Sequence, residues 1–302
     1  MAEIVLPLFI RGVLCHRFWV SGGYRITVQS QITGPVTPAC QPRAEGALRV
    51  SGVFGPRGSV LENVRQSGSM KALFPRGAGL TAVMLNTAGG VTGGDRFKVD
   101  AVSGSDSTLT MTTQAAERIY RAQPGTRGEI DVALTVEPGA VMNWLPQETI
   151  IYDHASARRR LTAKVAPDAT LLAVEPLIFG RRAMGETLTH ADFSDHWRIW
   201  RDDELIFADT LRLKGCVDDV LAGRATGAGA GAMASVLMIK PNAETMLEPL
   251  RALLPATGAA GLIRPGVLFA RMLAVDGFAL RQTLIPALTL LSGGPIPRTW
   301  MI

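Results

Sequence analysis

Leu134-Thr-Val-Glu-Pro138-Gly-Ala140 and Lys164-Val-Ala-Pro167-Asp-Ala169 share one design: a strand-like run, a Pro-Gly or Pro-Asp turn, then a second strand-like run. Their prolines stand 29 positions apart, and downstream Trp144-Leu145-Pro146 is answered by Ala173-Val174-Glu175-Pro176. A repeat of this length describes stacked coils, in which no single unit can bury its apolar face alone. With only a pair of copies, a β-solenoid-like layer and an ordinary sandwich both stay open on pattern.

The same period-two alternation extends on either side of the repeat. It appears in Leu48–Val53, Leu80–Thr87, Phe97–Val102, Thr108–Thr112, Ile130–Val136, Thr149–Tyr152, Leu161–Val165, Leu171–Val174 and Trp197–Phe207. These runs are short, β-branched and bounded by Gly, Pro, Asn or Asp, so the body reads as mainly β. Asp202-Asp203, between two apolar runs, reads as a hairpin turn. Past Leu211 the pattern changes. Residues 222–234 are rich in Ala and Gly and read as a flexible loop, and Leu237-Met238-Ile239 as a buried strand. Asn242 is placed to cap a helix reaching about Leu254, Gly266–Val275 reads as a strand or a helix start, and Phe278–Leu290 as a second helix. Two helices are therefore expected toward the C-terminus.

Composition narrows the function classes. Of 302 residues, 47% are hydrophobic and 19% charged, which excludes a disordered chain and a coiled coil. The net charge of +5 comes from scattered residues apart from Arg158, Arg159 and Arg160, a run that reads as a solvated face or a local protein contact rather than a nucleic-acid groove. Cys15, Cys40 and Cys216 form neither a disulfide framework nor a zinc ribbon, so a reducing, cytoplasmic setting is expected, with Cys216 a small buried hydrophobe. Residues 4–20 are apolar, but Arg11, His16 and Arg17 interrupt them, so neither a secretory signal nor a membrane span is expected. Ser30–Gln41 reads as a linker, which makes residues 1–42 an N-terminal extension, disordered or a non-native start, and 43–302 a single β-rich domain.

Gly89-Gly90-Val91-Thr92-Gly93-Gly94-Asp95 is the densest glycine motif. It lacks the Lys of a phosphate loop, and Arg96–Val102 alternates like a strand where a dinucleotide fold needs a helix. The physical reading is a sharp turn with positive φ angles in which Asp95 caps exposed N–H groups. No Gly-x-Ser-x-Gly elbow, catalytic cysteine signature or H-E-x-x-H pair occurs, and His16, His154, His190 and His196 read as surface or hydrogen-bonded residues. Carboxylates set in apolar strands are more unusual: Glu148 precedes Thr149-Ile150-Ile151-Tyr152, Asp153 follows it, and Glu175 stands between Val174 and Pro176. Such groups either turn to solvent or line a polar interior path, and solvent is the expectation for an unpaired carboxylate. Facing inward, they would offer weak oxygen ligation to a divalent ion in transit.

Four ordered segments resemble one family, the urease accessory protein D (UreD/UreH) family. They are Arg43-Ala-Glu-Gly-Ala-Leu-Arg-Val50, Leu85-Asn-Thr-Ala-Gly-Gly-Val-Thr-Gly-Gly-Asp95, Thr112-Thr-Gln-Ala-Ala-Glu-Arg-Ile-Tyr-Arg121 and Trp144-Leu-Pro-Gln-Glu-Thr-Ile-Ile-Tyr-Asp153. Arg181-Arg-Ala-Met-Gly-Glu186 is similar to a further family stretch, and the likeness spans about residues 43–300. The resemblance implies a β-helix-like, solenoid-type stack of short strands with two helices, and a non-enzymatic chaperone of urease maturation. It implies apo-urease and the accessory proteins F and G (a GTPase that carries nickel) as partners, with no nucleic acid and no membrane. It implies no tightly bound cofactor, but an internal passage for transient nickel(II). By motif match, Asp95, Glu148, Asp153, Glu175 and Glu186 are placed near that passage, and Gly89, Gly90, Gly93, Gly94, Arg118, Tyr120, Arg121, Pro146 and Gln147 carry the structural motif. The readings set against it are an enzyme binding a nucleotide or sugar at Gly89–Asp95, and a β-rich interaction module without a metal role.

Overall fold

The computed structural model describes the strands Phe18–Val20 and Tyr24–Ile26, residues 42–77 and residues 79–301. The chain divides into two compact units, Met1–Pro42 and Arg43–Ile302. In the first, β1 (Phe18–Val20) and β2 (Tyr24–Ile26) pair antiparallel. The rest of the expected extension, with Cys15, Cys40 and the Ser30–Gln41 linker, lies outside the described residues.

The second unit is built from strands in chain order: β3 (Glu45–Gly55), β4 (Gly58–Gly68), β5 (Met70–Leu73), β6 (Leu80–Asn86), β7 (Arg96–Ser103) and β8 (Thr108–Thr113). They continue as β9 (Glu117–Ile119), β10 (Gly128–Val136), β11 (Val141–Leu145), β12 (Thr149–Ile151), β13 (Ala155–Val165) and β14 (Thr170–Phe179). Then come β15 (His190–Arg201), β16 (Glu204–Cys216), helix α1 (Val217–Ala222) and β17 (Ala232–Ile239). The chain closes with α2 (Leu247–Arg251), β18 (Gly258–Arg264), β19 (Val267–Ala274) and α3 (Gly277–Ser292). One sheet has the order β16-β15-β13-β10-β7-β3-β4, and the other β18-β19-β17-β14-β11-β8-β6-β5, with β12 joined to β14 and β9.

The fold is mainly β, a stack of coils of the solenoid type, and the sequence repeat is its rung. Val136 pairs with Val165 in one sheet and Val141 with Thr170 in the other, both in parallel, so a single offset of 29 positions carries strand, turn and strand onto their neighbours. Each coil passes from β10 to β11, or from β13 to β14, through a four-residue turn, 137–140 or 166–169. A third such turn, 104–107 between β7 and β8, stacks beneath them without a proline: Asp106 N donates to Pro138 O at 3.0 Å and Val141 N to Ser107 O at 2.8 Å. Antiparallel strands close the margins of both sheets.

Alternation along each strand divides the apolar residues between two layers. In β14, Leu171, Ala173, Leu177 and Phe179 face the interior between the sheets, whereas Leu172 and Val174 face out toward α3. There they meet Leu280, Leu284, Ala287, Leu288 and Leu291 of α3. Asp276 caps that helix by accepting from Ala279 N at 2.8 Å, and Gly293 ends it at φ 70°. Burying such a face stabilises by about 1.5–3 kcal/mol per large side chain.

Several local expectations need correction. Asn242 makes no side-chain cap; it sits at φ 58° ahead of a 3₁₀ turn, Ala243–Met246, and α2 follows only from Leu247. Pro249 explains the break, since it lacks the N–H that a continuous helix would need and is accommodated in the first turn of α2. The Ala/Gly-rich segment is shorter than expected because Ala232–Ser235 already belong to the buried strand β17, where small side chains fit between neighbouring layers. Gly266–Val275 resolves as strand β19. Cys216 is exposed, not buried: Leu213 points inward, and three positions on the strand presents its other face. Asp202 and Asp203, at φ 46° and 63°, form the hairpin turn between β15 and β16. No helix among the described residues is long and apolar enough to cross a membrane.

Candidate functional site

The arginine run shows how strand phase builds the site. Arg158 and Arg160 point outward from β13 and pair across the sheet with their register partners on β10, Arg158 Nη2 donating to Glu129 Oε1 at 2.7 Å and Arg160 to both oxygens of Asp131 at 2.5 and 2.8 Å. Arg159, between them, faces the interior with Ala157 and Leu161 and is 4% exposed. A solvated face thus describes two of the three residues but not the middle one.

Arg159 joins the two sheets. It grips Asp195, its register partner on β15, from Nε to Oδ1 at 3.1 Å and from Nη2 to Oδ2 at 2.7 Å. Nη1 donates to Thr149 Oγ1 at 3.0 Å and also lies 2.5 Å from Glu175 Oε2 on the opposite sheet, an ion contact without hydrogen-bond alignment. The other Glu175 oxygen accepts from Trp144 Nε1 at 2.9 Å, and Trp197 Nε1 donates to Asp195 Oδ2 at 3.3 Å. Burial alone would lower the Arg159 pKa, but the charges of Asp195 and Glu175 outweigh it and raise it, so the guanidinium stays charged. Burial pushes the Glu175 carboxyl up to about 7; Asp195 adds to this, while Arg159 and the Trp144 N–H oppose it. The expectation that carboxylates in these strands turn to solvent fails for Glu175 because pairing with Arg159 makes burial tolerable.

A cavity of about 140 Å³ lies directly against this cluster. Its walls include Phe97, Val99 and Val132 from one sheet and Met84 and Trp144 from the other, together with the buried Arg159 and Glu175. Asn86, Gly89, Gln114, Glu117, Pro146 and Gln147 also line it, Gly89 and Gln114 being exposed. Burial raises the Glu117 pKa, against hydrogen bonds from Arg118 N–H and the Asn86 amide. The motif residue Gln147 is held by Thr113, whose Oγ1 accepts from Gln147 N at 2.9 Å and whose carbonyl accepts from Nε2 at 3.0 Å.

The other sequence-selected carboxylates lie elsewhere. Glu148 is buried but turned away from the cavity, and Arg281 of α3 donates to both its oxygens. Asp153 and Glu186 sit together on a half-exposed rim. Asp153 Oδ1 accepts from Thr189 Oγ1 at 2.8 Å and His190 N at 3.0 Å, with Arg121 Nη2 3.8 Å from Oδ2. Burial would raise the Asp153 pKa, yet these bonds and the nearby His154 lower it. Glu186 accepts from Arg181 N and Nε, both at 3.0 Å, which holds its pKa down, and Arg181 lies 4.4 Å over the Tyr152 ring, which meets Tyr120 edge-on at 4.9 Å. Arg118 is exposed beside this group.

The glycine motif is structural. Asp95 caps Ala44 N through Oδ1 and Thr92 N through Oδ2, each at 2.8 Å. Gly89, Gly90 and Gly94 have φ of 79°, 153° and 92°. The amides of Gly89, Val91 and Gly94 donate to the carbonyls of Asn86, Arg118 and Arg127, and strand β7 follows directly, so the loop offers no phosphate cradle. A Cβ on Gly93 would run into Thr126.

A family model described as UreD urease accessory protein matches residues 43–301. The Urease accessory protein UreD of Ruegeria pomeroyi is 52% identical over 246 residues, covering 81% of this chain and 96% of the relative. That of Roseobacter denitrificans is 45% identical over 267 residues, covering 88% and 98%. The chain belongs to the UreD urease accessory protein family.

For this family member, Arg159 and Asp195 are the site residues that the sequence did not single out. The available signal was phase: Ala157, Leu161 and Ala163 mark the inward positions of β13, and Arg159 shares their parity. Among the described residues, no group of three or more His, Cys, Asp and Glu is placed to hold a metal ion. His154 and His190 stack with their rings 5.5 Å apart and 6° from parallel, both exposed, and His196 Nδ1 is 3.3 Å from Thr210 Oγ1.

Proposed function

We propose that the unit from Arg43 onward is a cytoplasmic scaffold of urease maturation, which holds apo-urease with the accessory proteins F and G and gives nickel(II) a protected route into the enzyme. Membership of a urease accessory family supports the maturation role. The observation that carries the nickel role is the cavity lined by two carboxylates, Glu117 and the buried Glu175. Oxygen donors hold a borderline cation weakly compared with imidazole, which suits conduction and release better than storage. Holding donor and acceptor proteins on one frame acts by effective concentration, with no bond made or broken by the scaffold itself.

Co-expression with apo-urease and its accessory proteins tests this reading. Urease activity is expected to depend on the chain, and Glu117→Gln and Glu175→Gln are expected to reduce activation while pull-down of the partners is unchanged. Full activation without the chain would sink the maturation role. Full activation by both variants would leave a scaffold without a metal role.

A further inference from the structure

Cations that look scattered along the chain gather on one face of the fold. In the sheet β16-β15-β13-β10-β7-β3-β4, Leu48 and Val50 of β3 point into the core, so Arg49 between them points out. Register partners share a face, and Arg49–Arg65, Arg49–Asp100, Lys98–Asp131, Asp131–Arg160, Arg160–His196 and Asp192–Lys214 carry that outer side across the sheet. Ten Lys and Arg side chains face out: one each from β4 and β3, two from β7, three from β13, one from β15 and two from β16. The acidic residues with register partners there number five, Glu45, Asp100, Glu129, Asp131 and Asp192; Glu62 sits at a β-bulge without a partner. The surplus of five equals the net charge of the whole chain.

Most of these acids are already neutralised. Lys98 meets Asp100, Arg127 meets Asp192, and Arg158 and Arg160 hold Glu129 and Asp131. Arg49, Arg65, Arg96, Lys164, Arg212 and Lys214 are exposed, and among the described residues no hydrogen bond or ion pair holds their charged groups. Like charges kept together destabilise the lone chain by self-repulsion, so folding does not require the array. The opposite sheet differs: its outward Leu172 and Val174 are covered by α3. Seven strands about 4.8 Å apart, each presenting about eight residues of about 3.3 Å, give a footprint of about 750 Å², near the roughly 800 Å² per partner of a standard protein interface. The register row Glu45–Arg96–Glu129–Arg158 alternates in sign. A phosphate backbone would meet a carboxylate at every second place along it, whereas a protein surface sets basic side chains against those acids.

We propose that this outer face is a docking surface for a protein whose own contact face carries an acidic surplus, and that the unpaired cations steer its approach. Such a partner is one of the proteins held by the scaffold, so the assignment rests on that reading but not on the nickel route. Complementary fields speed encounter by about 10–10³-fold and are screened by salt, over a Debye length of about 10 Å at 0.1 M. Unpaired rim charges of this kind act on the association rate more than on dissociation.

The test combines Arg65→Glu, Lys164→Glu and Arg212→Glu in the full chain. Their register partners are Arg49, Thr135, Trp200 and Ser194, so no reversed residue is set opposite a carboxylate in the ladder. Arg76→Glu, Lys240→Glu and Arg298→Glu, all outside this sheet, make the control of equal charge. Association with purified apo-urease, F and G is measured separately by surface plasmon resonance, at about 20 mM and about 500 mM salt. At low salt the face variant is expected to associate at least about tenfold more slowly with one of the three, the control to stay near the parent, and the difference to vanish at high salt. Should the reversals fail to fold, Arg65→Gln, Lys164→Gln and Arg212→Gln carry the same test with a smaller slowing. Parental rates with all three proteins, or equal slowing in the control, overturn the docking face and leave the scaffold reading standing. A parent chain that binds none of the three overturns both. Binding of a mixed-sequence DNA duplex that the face variant loses would overturn the protein partner in favour of nucleic acid.

Discussion

Glu148 and Arg281, 133 positions apart in sequence, meet in a two-pronged ion pair, Nε to Oε1 at 2.6 Å and Nη2 to Oε2 at 2.8 Å. It fastens the loop before β12 to α3, and the same guanidinium donates to Gln147 Oε1 at 2.8 Å and Trp300 O at 3.2 Å. Glu148 is buried, so removing either partner strands a charge and is expected to cost about 3 kcal/mol, near the lower end for buried pairs because Arg281 retains some solvent. Urea unfolding of Glu148→Ala, Arg281→Ala and the double variant measures this. The double variant should be less destabilised than the sum of the singles; strict additivity would show that the pair is not coupled. Loss of urease activation in Glu148→Ala therefore needs this stability control before it is read as loss of nickel transfer.

Stability should fall with rising pH because of Glu175. Its folded value of about 7 lies above the ordinary 4.5, so the folded chain binds more protons between those values. The Glu175 contribution is fully present below about 4.5 and is lost as pH rises toward 7. Glu175→Gln is expected to flatten the curve in that window and to be more stable than the parent at pH above about 7. Glu117 shifts in the same direction and leaves a residual slope. Asp153 and Glu186, held below the ordinary range, act oppositely: their contribution is present above it and lost in acid. Thermal melts across pH check the sign, and an unchanged slope in Glu175→Gln would remove that carboxyl as its source.

Gly89 and Gly90 are neighbours with different constraints. Both have positive φ, but a Cβ on Gly89 meets nothing within 4 Å, whereas one on Gly90 runs into the Tyr120 ring and lies 2.8 Å from Arg118 O. Gly89→Ala should cost about 1–2 kcal/mol from backbone strain alone. Gly90→Ala adds overpacking and should cost about 1–3 kcal/mol more. Equal melting temperatures for the two variants would contradict the contact with Tyr120.

Asp95→Ala should lose both N–H bonds at the start of the body, those from Ala44 and Thr92. Leaving donors unsatisfied costs about 1–3 kcal/mol each where they stay dry, so a loss of about 2 kcal/mol is expected with no change in nickel dependence of activation. A variant that folds normally but fails only in nickel transfer would move Asp95 from the frame to the route.

Much of the frame was legible along the chain. The Pro138 and Pro167 turns, 29 positions apart, state the rung spacing, and alternation in β13 states the phase of that strand, because both signals are local and periodic, whereas β14, apolar on both faces, shows no such phase. Ala/Gly composition and a cap-like Asn242 misled where a later residue decided: Pro249 broke the helix, and the phase of Leu213 exposed Cys216. The five carboxylates chosen from motifs are spread over the loop cap, the α3 clamp, the rim and the cavity floor, since a motif records which residues matter but not where they meet.

By itself the sequence determined a mainly β chain and its likeness to a urease accessory family, while its repeat left stacked coils and a sandwich both open, since strand period, turn chemistry and ordered motifs are written in neighbouring residues but the stacking of rungs is not. Only the tertiary structure decided that Arg159, Asp195 and Glu175 meet beside a cavity. That meeting depends on inter-strand register and on the packing of one sheet over the other, and those long-range pairings set which buried charges find partners.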